Sequence, residues 1–431
     1  MPAPRPALRE ADVRRFVEER CFPEGARRLG AELEWFVSGE AAHPQVVAAS
    51  AGPFPGGSRL TFEPGGQVEL SSPACADVAS LWRALAVDAA ELRRRLGSID
   101  TGLMAVGMHP DRQPRRVLRT SRYDAMELYW ASGGEHDPGA GLAMMCLTAA
   151  IQVNVDASVM GGSVISGGSL DPGGRDHRWR LAHALSPVLG AAFANSPLSA
   201  GRLSGWRSSR LGVWEGLDRT RCAPALRTGR AVDDWTSYLL DAHVMFIHDG
   251  VTDERDGDHP GRDRSQQDHP LRKPFPFGRW LSEGHELGWP DEGDLGCHLS
   301  TVFPPVRAKG WLELRCMDAV DEPWWPVPIA VAAGLLDDPE AADGAARATG
   351  RAAWCWCEAP RWSLEYEPLA EAARQCFNLA RDGLCRLGAP PRLIALVEAY
   401  QERFVDRGRC PADDTIDAFT AQRAPTPASA P

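Results

Sequence analysis

The chain has 431 residues, of which 44% are hydrophobic, and it is long enough to bury a large core. Its 47 basic and 58 acidic residues give a formal net charge of −11, which argues against a general nucleic-acid-binding protein. No run of eighteen apolar residues occurs, so we expect no membrane span. The eleven cysteines are scattered without disulfide or zinc-site spacing, which predicts reduced thiols and a cytoplasmic protein.

The first part of the chain predicts a loose tail, a helix and a strand that carries two carboxylates. Residues 1–8 are rich in proline, and we expect them to be loose. Apolar residues at helical spacing across 13–21 predict a short amphipathic helix. In the stretch 30–37 (GAELEWFV), Glu32 and Glu34 alternate with apolar residues. Because residues two apart in a strand share a face, both carboxylates are expected on one face.

Residues 59–72 (RLTFEPGGQVELSS) predict a β-hairpin. Strand-forming residues lead up to Glu63, residues 64–66 (PGG) supply turn chemistry, and a second alternating strand follows. Glu69 lies on the polar face of this returning strand. Glu63 and Glu69 flank the turn, so we expect them to converge on one point.

Between the hairpin and the next polar strand, the apolar spacing predicts helices and connections. In chain order these are a helix at 76–96, a buried strand at 101–108, a basic loop at 112–122 leading into a helix, and a flexible connection at 132–141. Residues 151–156 (IQVNVD) alternate strictly. This pattern places Gln152, Asn154 and Asp156 on one face of a further strand.

The second half of the chain contains one more alternating strand. Residues 311–316 (WLELRC) place Glu313 and Arg315 on the same face. The elements around it are a mobile loop at 161–176, a helix at 178–195, an arginine-rich segment at 201–221, an exposed charged insertion at 249–269, a helical region at 326–408 and a disordered tail at 423–431.

Together these elements predict an α+β fold, with a mainly antiparallel sheet and helices packed on its apolar face. The sequence contains no internal repeat and no convincing linker between domains. We therefore expect residues 9–422 to form a single domain.

The polar face of the predicted sheet indicates phosphoryl chemistry. Several carboxylates on one face repel each other unless a positive charge lies between them, and Mg²⁺ combines a few carboxylates with substrate phosphates. An arginine among them is suited to clamp a phosphate. The combination predicts ATP and a metal, with the sheet itself holding the nucleotide because no Walker A or Rossmann motif is present. The alternative interpretation is that each polar face simply meets water; the co-occurrence of four such strands with the Gly-Gly turn favours a site.

At these same stretches the sequence resembles the glutamate–cysteine ligase family, specifically its plant and actinobacterial branch. The resemblance extends from Gly30 to about Pro339 and rests on the segments GAELEWF, EPGGQVELSSP, SRYDAMELYW, GLAMMCLTAAIQVNVDAS, FANSPLSAGRLSGWRSSRLGVWEGLDRTRC, HLSTVFPPVRAKGWLELRCMDA and AGLLDDP. It is strongest to the actinobacterial enzymes that make γ-glutamylcysteine for ergothioneine synthesis. The family fold is a curved, mostly antiparallel sheet that forms an active-site cup, as in glutamine synthetase and guanido kinases, with helices outside.

The resemblance implies a reaction and a set of site residues. The reaction joins the γ-carboxylate of L-glutamate to the amine of L-cysteine through γ-glutamyl phosphate, and it uses ATP with Mg²⁺ or Mn²⁺. The implied metal ligands are Glu32, Glu34, Glu63, Glu69, Gln152 and Glu313. The implied nucleotide contacts are Asn154 and Arg315, and the implied contacts to the amino-acid substrates are Arg122, Tyr123, Gln152, Arg207 and Arg210. The residues expected to be essential for catalysis are Glu69, Glu313 and Arg315.

Two other functions stay open at this point. One is a related carboxylate–amine ligase that uses a different amino acid or amine. The other is a non-catalytic divalent-cation-binding protein, which would not need Arg315 beside Glu313. We expect small-molecule substrates, no nucleic acid, no membrane, and a monomer or weak homodimer.

Overall fold

The computed structural model of the protein describes residues 8–25, 28–132, 137–158, 174–249, 267–271 and 273–423. Its strands are β1 Leu29–Ser38, β2 Arg59–Phe62, β3 Val68–Ser71, β4 Gly102–Met104, β5 Ala150–Val155, β6 Leu198–Ser199, β7 Arg202–Leu203, β8 Phe246–Asp249, β9 Gln267–Pro270, β10 Val306–Ala308 and β11 Leu312–Asp318. Its α-helices are α1 Glu10–Phe16, α2 His43–Ser50, α3 Val78–Gly97, α4 Ser121–Ala131, α5 Pro138–Leu147, α6 Arg175–Ala192, α7 Ser209–Glu215, α8 Arg219–Cys222, α9 Ala231–Asp241, α10 Phe277–Glu283, α11 Glu292–Leu299, α12 Pro326–Asp337, α13 Pro339–Ala348, α14 Glu358–Trp362, α15 Glu367–Arg386, α16 Pro391–Arg403 and α17 Pro411–Arg423.

A seven-stranded sheet organises these elements. Its strand order is β10-β11-β5-β1-β3-β2, and β4 pairs with the far end of β1. Neighbouring strands pair antiparallel, with Glu34 opposite Glu69 and Glu32 opposite Gln152. The register between β11 and β5 shifts beyond Leu314, and such a bulge bends a strand. The prediction of an α+β fold with a mainly antiparallel sheet is confirmed.

The two faces of the sheet differ as the alternation predicts. The apolar side chains of β1, β3, β5 and β11 are buried, and α3, α6 and α12 pack against these strands. Every residue of α12 is buried, which explains why its sequence is apolar all round up to Asp337, whose buried carboxylate pairs with Arg178. One hydrophobic cluster extends from Val13 to Val405 across this side of the molecule. The polar face therefore remains available for the site.

The hairpin of β2 and β3 has the predicted turn. Gly66 donates its backbone N–H to the carbonyl of Glu63 at 2.8 Å and has φ +87°, which favours glycine. A Cβ on Gly65 would lie 2.4 Å from the backbone oxygen of Cys146 in α5. The two glycines thus allow the hairpin to turn tightly while it packs against α5.

A second hydrophobic cluster lies apart from the first. It contains side chains of α4, α5 and β8, among them Tyr123, Met126, Met144 and Met145. The side chain of Ser121 at the start of α4 donates to Asp268 of β9 at 2.7 Å. This cluster provides the cover over the polar face.

Several predicted boundaries were wrong. The strand expected at 101–108 is only the half-buried β4, and helix α5 begins inside the expected connection at 132–141. Strands β8 and β9 pair at the two ends of the expected insertion at 249–269, whose residues 250–266 lie outside the described residues. The helical region continues past 408 through α17 to Arg423, because α17 packs back on the chain through Ala412.

Other predictions fall on residues that are not described. They are residues 1–7 of the predicted N-terminal tail, residues 161–173 of the predicted loop and residues 424–431 of the predicted C-terminal tail. Within the described ranges, no helix is long and apolar enough to cross a membrane. The single-domain assignment of residues 9–422 stays a prediction.

Candidate active site

A cavity of about 840 Å³ lies over the polar face of the sheet. Residues of β1, β2, β3, β5 and β11 line one side of it, and residues of α4, α5, α7 and α11 line the other. The sequence-predicted residues that line it are Glu32, Glu34, Glu63, Glu69, Arg122, Tyr123, Gln152, Arg210 and Arg315. The alternation of polar residues thus identified most of the site.

Three glutamates on adjacent strands form an acidic cluster in the cavity: Glu32, Glu34 and Glu69. The two carboxylate oxygens of Glu34 accept from the backbone N–H of Ala150 at 2.9 Å and from Nε2 of Gln152 at 2.7 Å. The hydroxyls of Thr61 and Ser71 both donate to Oε1 of Glu69 at 2.9 Å. These neighbours orient the carboxylates before any ligand binds.

The acidic cluster lacks sufficient positive charge of its own. Burial and the nearby charges of Glu69 and Glu313 raise the pKa of Glu32 to about 7. Burial also raises the pKa of Glu34, against the opposing effect of Arg210, and burial together with the charge of Glu34 raises the pKa of Glu69. Bringing a cation to this cluster would relieve the repulsion.

Burial and this repulsion together predict a pH-dependent stability of the metal-free protein. Between about pH 4.5 and 7 the folded state keeps a proton on Glu32 that the unfolded chain has released. The free energy of unfolding should therefore fall as the pH rises through this window. We expect Glu32→Gln to reduce the slope of the free energy of unfolding against pH by up to the contribution of about one proton per molecule. The measurement is chemical denaturation in EDTA. An exposed control, Glu402→Gln, should keep the wild-type slope; equal slopes in Glu32→Gln and wild type would contradict the prediction.

Three basic residues form a cationic cluster around one buried carboxylate: Arg307, Lys309 and Arg315. Their nitrogens lie 2.7, 2.6 and 2.9 Å, respectively, from the carboxylate oxygens of Glu313. Burial by itself would raise the pKa of Glu313, but these cations together hold it well below its ordinary value. Since three positive charges meet one negative charge, the cluster has an excess of positive charge facing the cavity.

Gln152 connects the acidic and cationic clusters. Its Nε2 donates to Glu34, and its Oε1 accepts from the guanidinium of Arg315. Because this arrangement uses the amide oxygen for Arg315, the expected role of Gln152 as a metal ligand has no support from its contacts. The expected substrate contact stays a prediction, since Gln152 does line the cavity.

Arg210 is held in place by a buried network behind the cavity. Ser208 caps the N-terminus of α7 by accepting from Leu211, which sets the direction of the first turn. Arg210 is only 3% exposed; it donates to the backbone oxygen of Arg315 at 2.7 Å and lies 3.6 Å from the fully buried carboxylate of Asp318. Burial lowers the pKa of Arg210, while Asp318 opposes that effect. This position fits the expected contact to a substrate carboxylate.

Arg122, Tyr123 and Glu63 also line the cavity. Thr120 caps α4 by accepting from the N–H of Tyr123, which places Arg122 in the first turn. The guanidinium of Arg122 donates to Oγ and to the backbone oxygen of Ser300 at 3.0 and 3.1 Å. Arg122 therefore bridges α4 and the end of α11 across the cavity.

Three sequence-predicted residues do not line the cavity. Arg207 binds Asp413 of α17 at 2.7 Å and Glu365 at 3.0 Å, and these contacts give no support to the expectation that it contacts substrate. The amide nitrogen of Asn154 donates to Oε1 of Glu32 at 3.3 Å, which makes it a neighbour of the acidic cluster. Glu313 is fully buried beneath the cationic cluster.

Sequence reasoning missed several residues of the site. Arg307 and Lys309 lie in the segment before the fourth polar strand, and the register of β10 and β11 puts Arg307 opposite Glu313. A Lys-Gly turn between two apolar runs was the available signal for that hairpin. Other cavity-lining residues that the sequence did not identify include Arg20, Arg59, Met126, Met144, Met145, Trp214, Cys297, Phe303 and Trp311.

The acidic cluster fits a divalent cation by its charge, although it does not form a complete metal site. Among the described residues, no three carboxylate, histidine or cysteine side chains are arranged to hold an ion by themselves. Mg²⁺ typically takes one or two carboxylates and completes its coordination with water and substrate phosphates. The raised pKa values of Glu32, Glu34 and Glu69 indicate where a cation would be bound most favourably.

The comparison with known proteins agrees with this geometry. The profile of the family described as Glutamate-cysteine ligase family 2 (GCS2) matches residues 28–428. The chain belongs to this family. The match reaches well past Pro339 and includes the C-terminal helical region, most of which the sequence resemblance did not cover.

Members of the glutamate–cysteine ligase family resemble this chain over most of its length. It is 38% identical to glutamate–cysteine ligase EgtA of Mycolicibacterium smegmatis over 381 residues, covering 88% of this chain and 82% of the relative. It is 27% identical to the chloroplastic glutamate–cysteine ligase of Arabidopsis thaliana, covering 85% of this chain and 67% of the relative. The higher identity to the mycobacterial protein confirms the predicted branch.

A solved structure supports the fold. The crystal structure of glutamate–cysteine ligase from Francisella tularensis in complex with AMP superposes with a TM-score of 0.54 at 12% sequence identity. The superposition covers 93% of this chain and 85% of that chain. At this identity the likeness establishes the shared fold alone.

Proposed function

We propose that this member of the family is an ATP-dependent glutamate–cysteine ligase whose reaction takes place in the cavity over the sheet. The observation that carries the proposal is the placement of the acidic cluster beside the cationic cluster on one face, connected by Gln152. Phosphoryl transfer to a carboxylate brings many negative charges together, and it depends on positioning and charge neutralisation. Both clusters are suited to that task.

The reaction has two steps. The γ-carboxylate of L-glutamate attacks the γ-phosphate of ATP and displaces ADP, which gives γ-glutamyl phosphate. The amine of L-cysteine then attacks the acyl carbon, releasing phosphate and a proton and leaving γ-glutamylcysteine. The cationic cluster is placed to bind the triphosphate, because Arg315 and Lys309 line the cavity while Glu313 holds them in position.

Glu32, Glu34 and Glu69 are the residues that would hold Mg²⁺, with Mn²⁺ as the alternative. When bound, the metal neutralises phosphate charge and orients the triphosphate. Arg210 and Arg122 are the residues available for the carboxylates of the amino-acid substrates, since both line the cavity. Met126, Met144 and Met145 line the same space, and their thioethers offer a polarizable surface to a thiol side chain.

The function is tested by measuring ADP release with ATP, Mg²⁺ and L-glutamate, with L-cysteine present or replaced by each other amino acid in turn. We expect release that requires both glutamate and cysteine, with γ-glutamylcysteine identified by mass spectrometry. Strong release with a different amine would assign the related carboxylate–amine ligase function instead. Metal binding without ADP release from any pair would favour the cation-binding alternative, against which the cationic cluster and the family membership already argue.

Three further expectations rest on the same proposal. The similarity to the mycobacterial relative supports a place in ergothioneine synthesis. The substrates predict a cytoplasmic enzyme, and size-exclusion chromatography with light scattering would test the expected monomer or weak homodimer.

A further inference from the structure

One aromatic side chain in the cavity has no part in the chemistry above. Trp311 lines the cavity, is 37% exposed and directly precedes β11. Because alternate residues of a strand share a face, Trp311 continues the row of Glu313 and Arg315. A large exposed indole in a row of charged side chains indicates a ligand that presents an apolar, flat surface next to its charged part.

The position of Trp311 is set by a tight turn. The backbone N–H of Lys309 donates to the carbonyl of Trp311 at 3.0 Å, and Gly310 between them has φ +97°. Gly310 also donates to the carbonyl of Cys21 at 3.1 Å, which ties the turn to the segment that follows α1. These bonds fix the backbone from which the indole projects.

The cationic cluster begins next to this indole. Nζ of Lys309 lies 5.2 Å from the centre of the Trp311 ring and 2.6 Å from the carboxylate of Glu313. Side chains two residues apart on a strand are separated by about 6.6 Å, so the row leads from the ring past Glu313 to Arg315 over about 13 Å. An aromatic face at one end and cations along the rest match the two parts of a nucleoside triphosphate.

Building on the proposed function, we propose that Trp311 is the stacking platform for the base of the nucleotide, with the triphosphate directed along Lys309 toward Arg315. Every base has an aromatic face, so stacking contributes affinity without strong choice among bases. The platform would place the γ-phosphate near the acidic cluster, where the γ-carboxylate of glutamate must reach it.

Two variants and one matched control test this role. Trp311→Ala removes the aromatic face, Trp311→Phe keeps one, and Trp354→Ala changes a 71% exposed tryptophan that does not line the cavity. We expect Trp311→Ala to raise KM for ATP and for GTP about 10-fold, without raising KM for glutamate, and Trp311→Phe to restore most of the loss. Inhibition by inorganic tripolyphosphate should be the same in Trp311→Ala and wild type, because that probe has no base.

The outcomes separate this proposal from the proposed function. An unchanged KM for ATP in Trp311→Ala, or an equal weakening of tripolyphosphate inhibition, would overturn the platform while the ligase activity stands. Equilibrium dialysis with radiolabelled ATP measures binding without turnover. If the wild-type protein forms no product from any pair but binds ATP more tightly than Trp311→Ala does, the ligase function is overturned and the platform is supported.

Discussion

Replacing Glu69 with glutamine is expected to lower the rate of γ-glutamylcysteine formation by more than about 100-fold. Glu69 belongs to the acidic cluster, and the hydroxyls of Thr61 and Ser71 orient its carboxylate in the cavity. Glutamine has nearly the same shape, so the side chain keeps its volume and loses its negative charge. The loss should therefore arise from weaker metal binding, with the Mg²⁺ concentration for half-maximal activity rising as well.

The measurement is ADP release as a function of Mg²⁺ concentration, with thermal unfolding followed in parallel. Glu63→Gln is the matched control on the same hairpin, and we expect a smaller loss because Glu63 lies at the turn. The exposed Glu402→Gln should behave as wild type. A wild-type rate in Glu69→Gln would show that Glu69 does not bind the metal.

Replacing Glu313 with alanine is expected to destabilise the protein by about 3–5 kcal/mol and to abolish turnover. The carboxylate is fully buried, and it is the shared partner of Arg307, Lys309 and Arg315. Without it, three positive charges would face one another in a buried site, because desolvation and mutual repulsion would no longer be offset. The cations would separate and the phosphate-binding surface would be lost.

Chemical denaturation and ADP release measure the two effects. The control is Glu283→Ala, which breaks an exposed ion pair with Arg279 and should change the free energy of unfolding by less than about 1 kcal/mol. Glu313→Gln separates packing from charge: it should retain more stability than alanine and still lose activity. Wild-type stability in Glu313→Ala would mean that the cationic cluster does not need its buried counter-charge.

The two predictions describe different contributions to the same reaction. Burial and the charge of Glu34 raise the pKa of Glu69, whereas Arg307, Lys309 and Arg315 hold the pKa of Glu313 well below its ordinary value despite its burial. A divalent cation would bind at the acidic cluster that includes Glu69, and a polyphosphate would bind at the cationic cluster around Glu313. This separation of charge along one sheet face is the feature that the ligase reaction would use.

Local sequence patterns predicted much of this arrangement of side chains. A strand has a side-chain period of two, so the alternation in β1, β3, β5 and β11 by itself placed Glu32, Glu69, Gln152 and Arg315 on one polar face. The apolar positions of the same strands predicted helices on the other face. The motifs in these strands also carried the family resemblance, which the profile match confirmed.

Local patterns could not predict which side chains contact each other, because those contacts depend on how distant elements pack. Arg207 and Arg210 are three positions apart in an arginine-rich segment, yet the packing around α7 directs Arg207 to α17 and Arg210 to the cavity. Likewise, the pairing of β10 with β11 decided that Arg307 neutralises Glu313, and the contact between Gln152 and Arg315 joins residues 163 positions apart.

The sequence by itself therefore determined the fold class, the polar face and the family, since each depends on local periodicity or short motifs. Only the tertiary structure decided which carboxylates lack a counter-charge, which one is neutralised and which tryptophans line the cavity. Those properties are set by the distances between charges and by burial, and both depend on the register of the strands and the packing of helices from distant parts of the chain.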